Sequence, residues 1–232
     1  MATRNYHRHD FSTRDELAAA LAACVGGILG DEIAAAQAAS IAVSGGSTPA
    51  RFFEVLSNVE LDWKSVNVTL IDERYVPDTE PRSNAGLVKA NLLQNRAAGA
   101  NFLPLYQSGD AGADMKEASR FLSTFFNPPD VAILGMGNDG HTASFFPDAV
   151  ELEKLLDPQG THEIASVHAQ SAGELRLTLT LPLIARARFI ALHIEGEEKQ
   201  AALEKALSPG STLPIRRMID AAKTPVEIFW AP

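Results

Sequence analysis

The feature that most constrains this chain is a set of short apolar runs, each closed by a polar or glycine-rich turn and followed by a helix-like stretch. Val131-Ala132-Ile133-Leu134 is continuous and partly β-branched, then gives way at once to Gly135. A run of that kind reads as a strand buried on both faces of a parallel sheet. Similar strands are expected at Ser40 to Ser44, Val66 to Ile71, Glu163 to His168, Leu175 to Thr180, Phe189 to Ile194 and Val226 to Trp230. Between them lie Ala/Leu-rich or amphipathic stretches. One runs from Ser12 to Gln37 and is expected to break at Gly26-Gly27; another begins at Pro49 and continues through Leu56. Further helices are predicted at Asn84 to about Asn95, Asp110 to Phe126, Glu197 to Leu207 and Ile215 to Ala221. Alternation of this sort predicts an α/β fold, doubly wound, with a mostly parallel sheet and helices on both faces.

At 232 residues, with no internal repeat or linker-like tract, the chain reads as a single domain spanning 1–232. Cys24 is the only cysteine, so no internal disulfide is expected. The polar N-terminal segment, residues 1–10, does not read as a secretory signal, and no uninterrupted 18-residue apolar run is found. A cytoplasmic location follows as an expectation. The formal charge of −9, from 20 Lys+Arg against 29 Asp+Glu, speaks against nucleic-acid or anionic-membrane partners. A small anionic substrate remains compatible, met by a few placed cations and backbone amides. Oligomeric state stays open.

Ligands in open α/β sheets bind outside the carboxyl ends of the strands, which directs attention to three loops. Ser44-Gly45-Gly46-Ser47-Thr48-Pro49 offers close backbone approach, hydroxyl donors and a following helix start, a combination suited to phosphate. It is not a Walker loop, and an ordinary strand-to-helix turn explains the same letters. Asp72-Glu73-Arg74 is either a surface ion pair or a fixed positive charge for an oxyanion. Gly135-Met136-Gly137-Asn138-Asp139-Gly140-His141 sets a histidine on a glycine-built turn, as a structural residue or for acid–base chemistry. The last loop also satisfies Gly-x-Gly-x-x-Gly, the dinucleotide fingerprint of oxidoreductases. Pro147 follows too soon for a long helix, and no acidic residue stands behind a next strand.

Together these loops resemble the 6-phosphogluconolactonase family. The resemblance is carried by Ser-Gly-Gly-Ser-Thr-Pro at 44–49, Asp-Glu-Arg at 72–74, Ser83-Asn84, the segment from Gly135 through Ser144-Phe145-Phe146-Pro147, Arg176-Leu177-Thr178-Leu179-Thr180, and Gly196-Glu197-Glu198-Lys199. It implies a Rossmann-like α/β enzyme that hydrolyses 6-phospho-D-glucono-1,5-lactone, with no metal or cofactor. Glucosamine-6-phosphate deaminases share the glycine loop and the Asp-Gly-His turn, but their motif runs into Asn-Glu-Pro where this chain has Ser144 to Pro147. A non-catalytic sugar-phosphate sensor is the other alternative. One departure stands before Arg176, where Ser171-Ala172-Gly173-Glu174 replaces the prolines frequent in the family.

On this resemblance His141 is expected to be the general base, oriented by Asp72 or Asp139, with Arg74 stabilising the developing oxyanion. Gly46, Ser47, Thr48, Arg176 and Lys199 are expected to hold the phosphate. Gly45, Asn84, Gly137 and Asp139 are expected to complete the substrate site.

Overall fold

The computed structural model describes residues 5–232; the first four, part of the polar N-terminal segment, lie outside the described residues. The strands are β1 (Tyr6–Asp10), β2 (Ala39–Val43), β3 (Val66–Leu70), β4 (Asp72–Arg74), β5 (Asn101–Leu103), β6 (Val131–Leu134), β7 (Ile164–Val167), β8 (Arg176–Leu179), β9 (Phe189–Glu195) and β10 (Val226–Ala231). The helices are α1 (Arg14–Ala36), α2 (Ala50–Leu56), α3 (Asn84–Asn91), α4 (Ala111–Phe125), α5 (Leu152–Leu155), α6 (Leu181–Ile184), α7 (Glu197–Leu207) and α8 (Pro214–Ala221). Seven strands form a wholly parallel sheet in the order β1-β10-β9-β6-β2-β3-β5. The expected mostly parallel α/β sheet is therefore present. Its central strands β2, β3 and β6 are buried at every position, as their apolar runs require.

Four expectations are corrected. First, the strands expected at Glu163 to His168 and Leu175 to Thr180 do not join the large sheet; β7 and β8 pair antiparallel with each other, and β8 pairs antiparallel with β4. Ile71 is the junction of the two sheets. Its N–H donates to Val43 in the large sheet (2.9 Å), and its carbonyl accepts from Leu179 in the small one (2.8 Å). Beyond Ile71 the chain leaves β3 and continues as β4, so Asp72-Glu73-Arg74 is a strand rather than a surface turn.

Second, α1 is unbroken across Gly26-Gly27. A Cβ on Gly26 would lie 2.8 Å from Cγ1 of Val59, so the glycine is where the segment after α2 packs closest. The cost of a glycine within a helix, roughly 1 kcal/mol relative to alanine, is offset by that contact. Thr13 caps the start by accepting from the Glu16 N–H, and Gln37 ends the helix in the left-handed region at φ 64°. Third, α1 reaches a mean hydropathy of 1.6 over 18 residues and is by length and composition apolar enough to cross a membrane, although no fully apolar run of that length is present. Here Leu17, Leu21, Val25 and Leu29 form a fully buried stripe in the hydrophobic core.

Fourth, β1 lies within a segment read only as polar. It is an edge strand in register with β10, where polar side chains are tolerated because one side faces solvent. His7 and His9 both pair with Glu227 of β10, at 2.8 and 2.6 Å.

Candidate active site

The carboxyl ends of β2, β6 and β9, roofed by the small sheet, enclose a cleft of about 380 Å³. Every residue singled out from the sequence except Asp139 borders it: Gly45, Gly46, Ser47, Thr48, Asp72, Arg74, Asn84, Gly137, His141, Arg176 and Lys199. Asp139 stands directly behind His141.

The first wall is the loop after β2 together with α3. Gly46 has φ 95°, a conformation that favours glycine, while a Cβ on Gly45 would lie 2.0 Å from Oδ1 of Asn84. The close approach is fixed by Glu73, a fully buried carboxylate that accepts from the N–H groups of Asn84 and Ala85 and from the Ser83 hydroxyl. Burial pushes its carboxyl above the usual range, only partly opposed by those three hydrogen bonds. Glu73 thus seats the start of α3, and Asn84 then donates to the Asp72 carbonyl (2.8 Å) and accepts from Nη1 of Arg74 (3.1 Å). The Asp-Glu-Arg triplet is a scaffold as well as a charge.

The second wall is the loop after β6. Gly137 N–H donates to the His141 carbonyl (2.9 Å) and Gly140 N–H to the Gly137 carbonyl (3.0 Å), with Gly140 at φ 82°. The turn closes on itself instead of opening a helix, and the next helix, α5, begins only at Leu152. That geometry removes the dinucleotide reading, which needs a helix starting at the third glycine. Within the turn, Oδ1 of Asp139 lies 2.6 Å from Nδ1 of His141 and also accepts the His141 backbone N–H at 3.1 Å. An ionised carboxylate only accepts, so the proton between them belongs to Nδ1, and Nε2 carries the lone pair. The imidazole packs on Phe146, with ring centroids 4.5 Å apart.

Asp139 is thus the carboxylate in contact with the His141 ring, whereas Oδ2 of Asp72 accepts the Ser144 hydroxyl at 2.6 Å, inside the buried junction with the small sheet. Ser144→Ala is expected to leave the Asp72 carboxylate without its hydroxyl donor. A loss of about 1–3 kcal/mol in urea-unfolding stability should follow, read from the shift of the fluorescence midpoint.

The remaining wall is cationic. Arg176, first residue of β8, stacks its guanidinium over Phe146 at 5.5 Å and donates from Nη2 to the Ala172 carbonyl at 3.3 Å. That carbonyl comes from the turn over Ser171 to Glu174, in which Gly173 sits at φ 71° and Glu174 pairs with Arg82 at 2.9 Å. Nε of Arg176 is buried with no partner among the described residues. Burial holds Arg176 below its ordinary value; Asp72 opposes this and Arg74 adds to it. Lys199, in the first turn of α7, donates to the Met136 carbonyl (2.7 Å) and is likewise held below its usual value by burial, with Glu195 opposing. Two desolvated cations sharing one cleft create a strong preference for an anion.

Three contributors escaped the sequence reading. Ser44, whose buried hydroxyl has no partner among the described residues, lies in the glycine loop, while Ser171 and His193 border the cleft from the turn before β8 and from β9. Ser44 opens the glycine-loop motif, whereas Ser171 carries no motif signal beyond its hydroxyl. His193 sits inside an apolar strand, where a histidine reads as core.

Comparison with known proteins agrees with this architecture. Residues 12–230 match the family model described as glucosamine-6-phosphate isomerases/6-phosphogluconolactonase. The chain is 54% identical to a 6-phosphogluconolactonase of Mesorhizobium japonicum, covering 98% of this chain and 96% of the relative. It is 48% identical to one from Rhizobium meliloti, covering 97% and 98%. Among solved structures, a 6-phosphogluconolactonase from Shewanella baltica superposes with a TM-score of 0.92 at 39% identity, covering 98% of each chain. With its parallel sheet, its glycine-built histidine turn and these relatives, the chain belongs to the glucosamine-6-phosphate isomerase/6-phosphogluconolactonase family.

Proposed function

We propose that this protein hydrolyses 6-phospho-D-glucono-1,5-lactone to 6-phospho-D-gluconate, the second step of the oxidative pentose phosphate pathway, with His141 as general base. The reading places it in the cytoplasm, with residues 1–232 acting as one domain. The observation that carries the mechanism is the commitment of His141 Nδ1 to Asp139 at 2.6 Å, which turns Nε2 into the only basic nitrogen of that ring. A lactone is an activated ester, so water needs a base and a stabiliser for the oxyanion. Nε2 takes the proton from water as its oxygen attacks the carbonyl carbon. Arg74, which borders the same cleft, offers positive charge to the oxyanion. When the tetrahedral intermediate collapses, the ring C–O bond breaks and the imidazolium returns the proton to the departing oxygen. Asp139 keeps the ring oriented and offsets its transient charge.

At the other end of the substrate, the amides and hydroxyls of Gly46, Ser47 and Thr48, with Arg176 and Lys199, receive the phosphate. The desolvation of Arg176 and Lys199, both bordering the cleft, supports this assignment, since buried cations favour an anionic partner. Loss of one charge-assisted contact costs about 1.5–3 kcal/mol. Arg176→Ala and Lys199→Ala are therefore each expected to raise KM about 10- to 150-fold with a smaller change in kcat. An unchanged KM in either variant removes that residue from the phosphate site.

The activity is tested by generating the lactone with glucose-6-phosphate dehydrogenase and following 6-phosphogluconate formation with and without the protein. Spontaneous ring opening is subtracted from both. Equal rates overturn the proposal.

A further inference from the structure

His193 lies on β9 and borders the same cleft as Ser47, Thr48 and Lys199. It is 3% exposed. Its Nε2 is 3.1 Å from Oε1 of Glu195, and its ring meets Phe52 edge-on, at 6.0 Å between centroids and 81° between planes. As with His141, the carboxylate only accepts, so Nε2 carries a proton. Nδ1 has no partner among the described residues, yet it is not one of the sealed orphan atoms, as Ser44 Oγ and Arg176 Nε are. Nδ1 is therefore neither sealed nor partnered among the described residues, on a residue that borders the cleft.

The charge around it is specific. Glu195 is bonded to Nε2 and lies 3.5 Å from Nε of Arg14 at the start of α1; it also attracts the Lys199 ammonium on α7. From α2 and β10 the neighbours are Phe52 and Phe229, which carry no charge. With one proton, the ring presents a lone pair to an arriving anion and repels it. With two, Nδ1 donates, and Glu195 supplies the countercharge for the extra proton.

We propose that His193 is a further binding residue for the substrate's phosphate, taking up a proton from solvent at Nδ1 as the phosphate seats and bridging it to Glu195. This rests on the lactonase reading above.

The test uses binding of 6-phosphogluconate and of gluconate, followed by calorimetry at pH 7.5 in two buffers of different ionisation heat. At that pH a phosphate monoester, with a second pKa of about 6, is already a dianion and releases almost no proton. The native protein is expected to take up more protons with 6-phosphogluconate than with gluconate. His193→Gln keeps a donor for Glu195 but removes the Nδ1 donor. It is expected to abolish that difference and to weaken 6-phosphogluconate binding about 10-fold, with gluconate binding unchanged. Equal uptake for the two ligands in the native protein, or undiminished extra uptake in His193→Gln, overturns the assignment while the lactonase reading stands. If 6-phosphogluconate does not bind and the lactone is not hydrolysed, both fall together.

Discussion

Replacing His141 by alanine is expected to lower kcat about 10²- to 10⁴-fold, the range that a positioned general base contributes, while KM changes little. The separation follows from the layout of the cleft. The imidazole is held by Asp139 and Phe146, whereas the contacts proposed for binding belong to the glycine loop, Arg176 and Lys199. The ring lines the cleft and its removal opens space into solvent, so the fold should survive; an unchanged circular dichroism spectrum and urea midpoint would confirm that. Asp139→Ala should also lower kcat, and the double variant should be scarcely worse than His141→Ala alone, because the carboxylate acts only through the ring. The measurement is initial rate against lactone concentration, with spontaneous hydrolysis subtracted. If His141→Ala retained most of the turnover in an intact fold, the base would have to be sought elsewhere in the cleft.

What the sequence revealed of this molecule tracks where local and tertiary forces agree. β6 and its loop were readable because a strand buried on both faces must be apolar throughout and Gly140 must adopt φ 82°. β4 was not, since three charged residues have no strand-forming pattern of their own. It is a strand because Arg176 to Thr178 pair with it from more than a hundred positions away. β1 escaped for a related reason: an edge strand needs only backbone partners, and its His-Arg-His-Asp letters satisfy themselves through Glu227 and solvent. At the site, residue types were legible but pairings were not. Asp72 and Asp139 are equally plausible partners for a histidine until the chain path sends one to Ser144 and the other to Nδ1. Glu73 was passed over because a carboxylate between two functional neighbours reads as surface charge, whereas it is buried and anchors α3.

Gly137→Ala is expected to be nearly as damaging as loss of the histidine itself, lowering kcat about 100-fold or more, on the scale of the general-base contribution, although it removes no functional group. An added Cβ would lie 2.3 Å from both Nδ1 and Cε1 of His141 and 2.6 Å from Oδ1 of Asp139. No such contact is tolerated, so something must move. The backbone is constrained, because the Gly137 N–H is bonded to the His141 carbonyl and its own carbonyl holds Gly140. Retreat of the peptide would break both bonds, at about 1 kcal/mol net for each. Displacement of the imidazole and of the Asp139 carboxylate away from the new methyl breaks their mutual contact but spares both backbone bonds, and is therefore the favoured response. The ring then loses both its tautomer and its aim. Gly137 is not in the left-handed region, so alanine brings no backbone strain and the steric effect is isolated. Gly46→Ala provides the contrast. At φ 95°, with open space around its Cβ, it strains the backbone without touching the histidine, and it should act on KM through the phosphate loop. A Gly137→Ala variant with native kcat would mean that the ring tolerates displacement from Asp139, and the pairing would then be structural rather than part of the proton transfer.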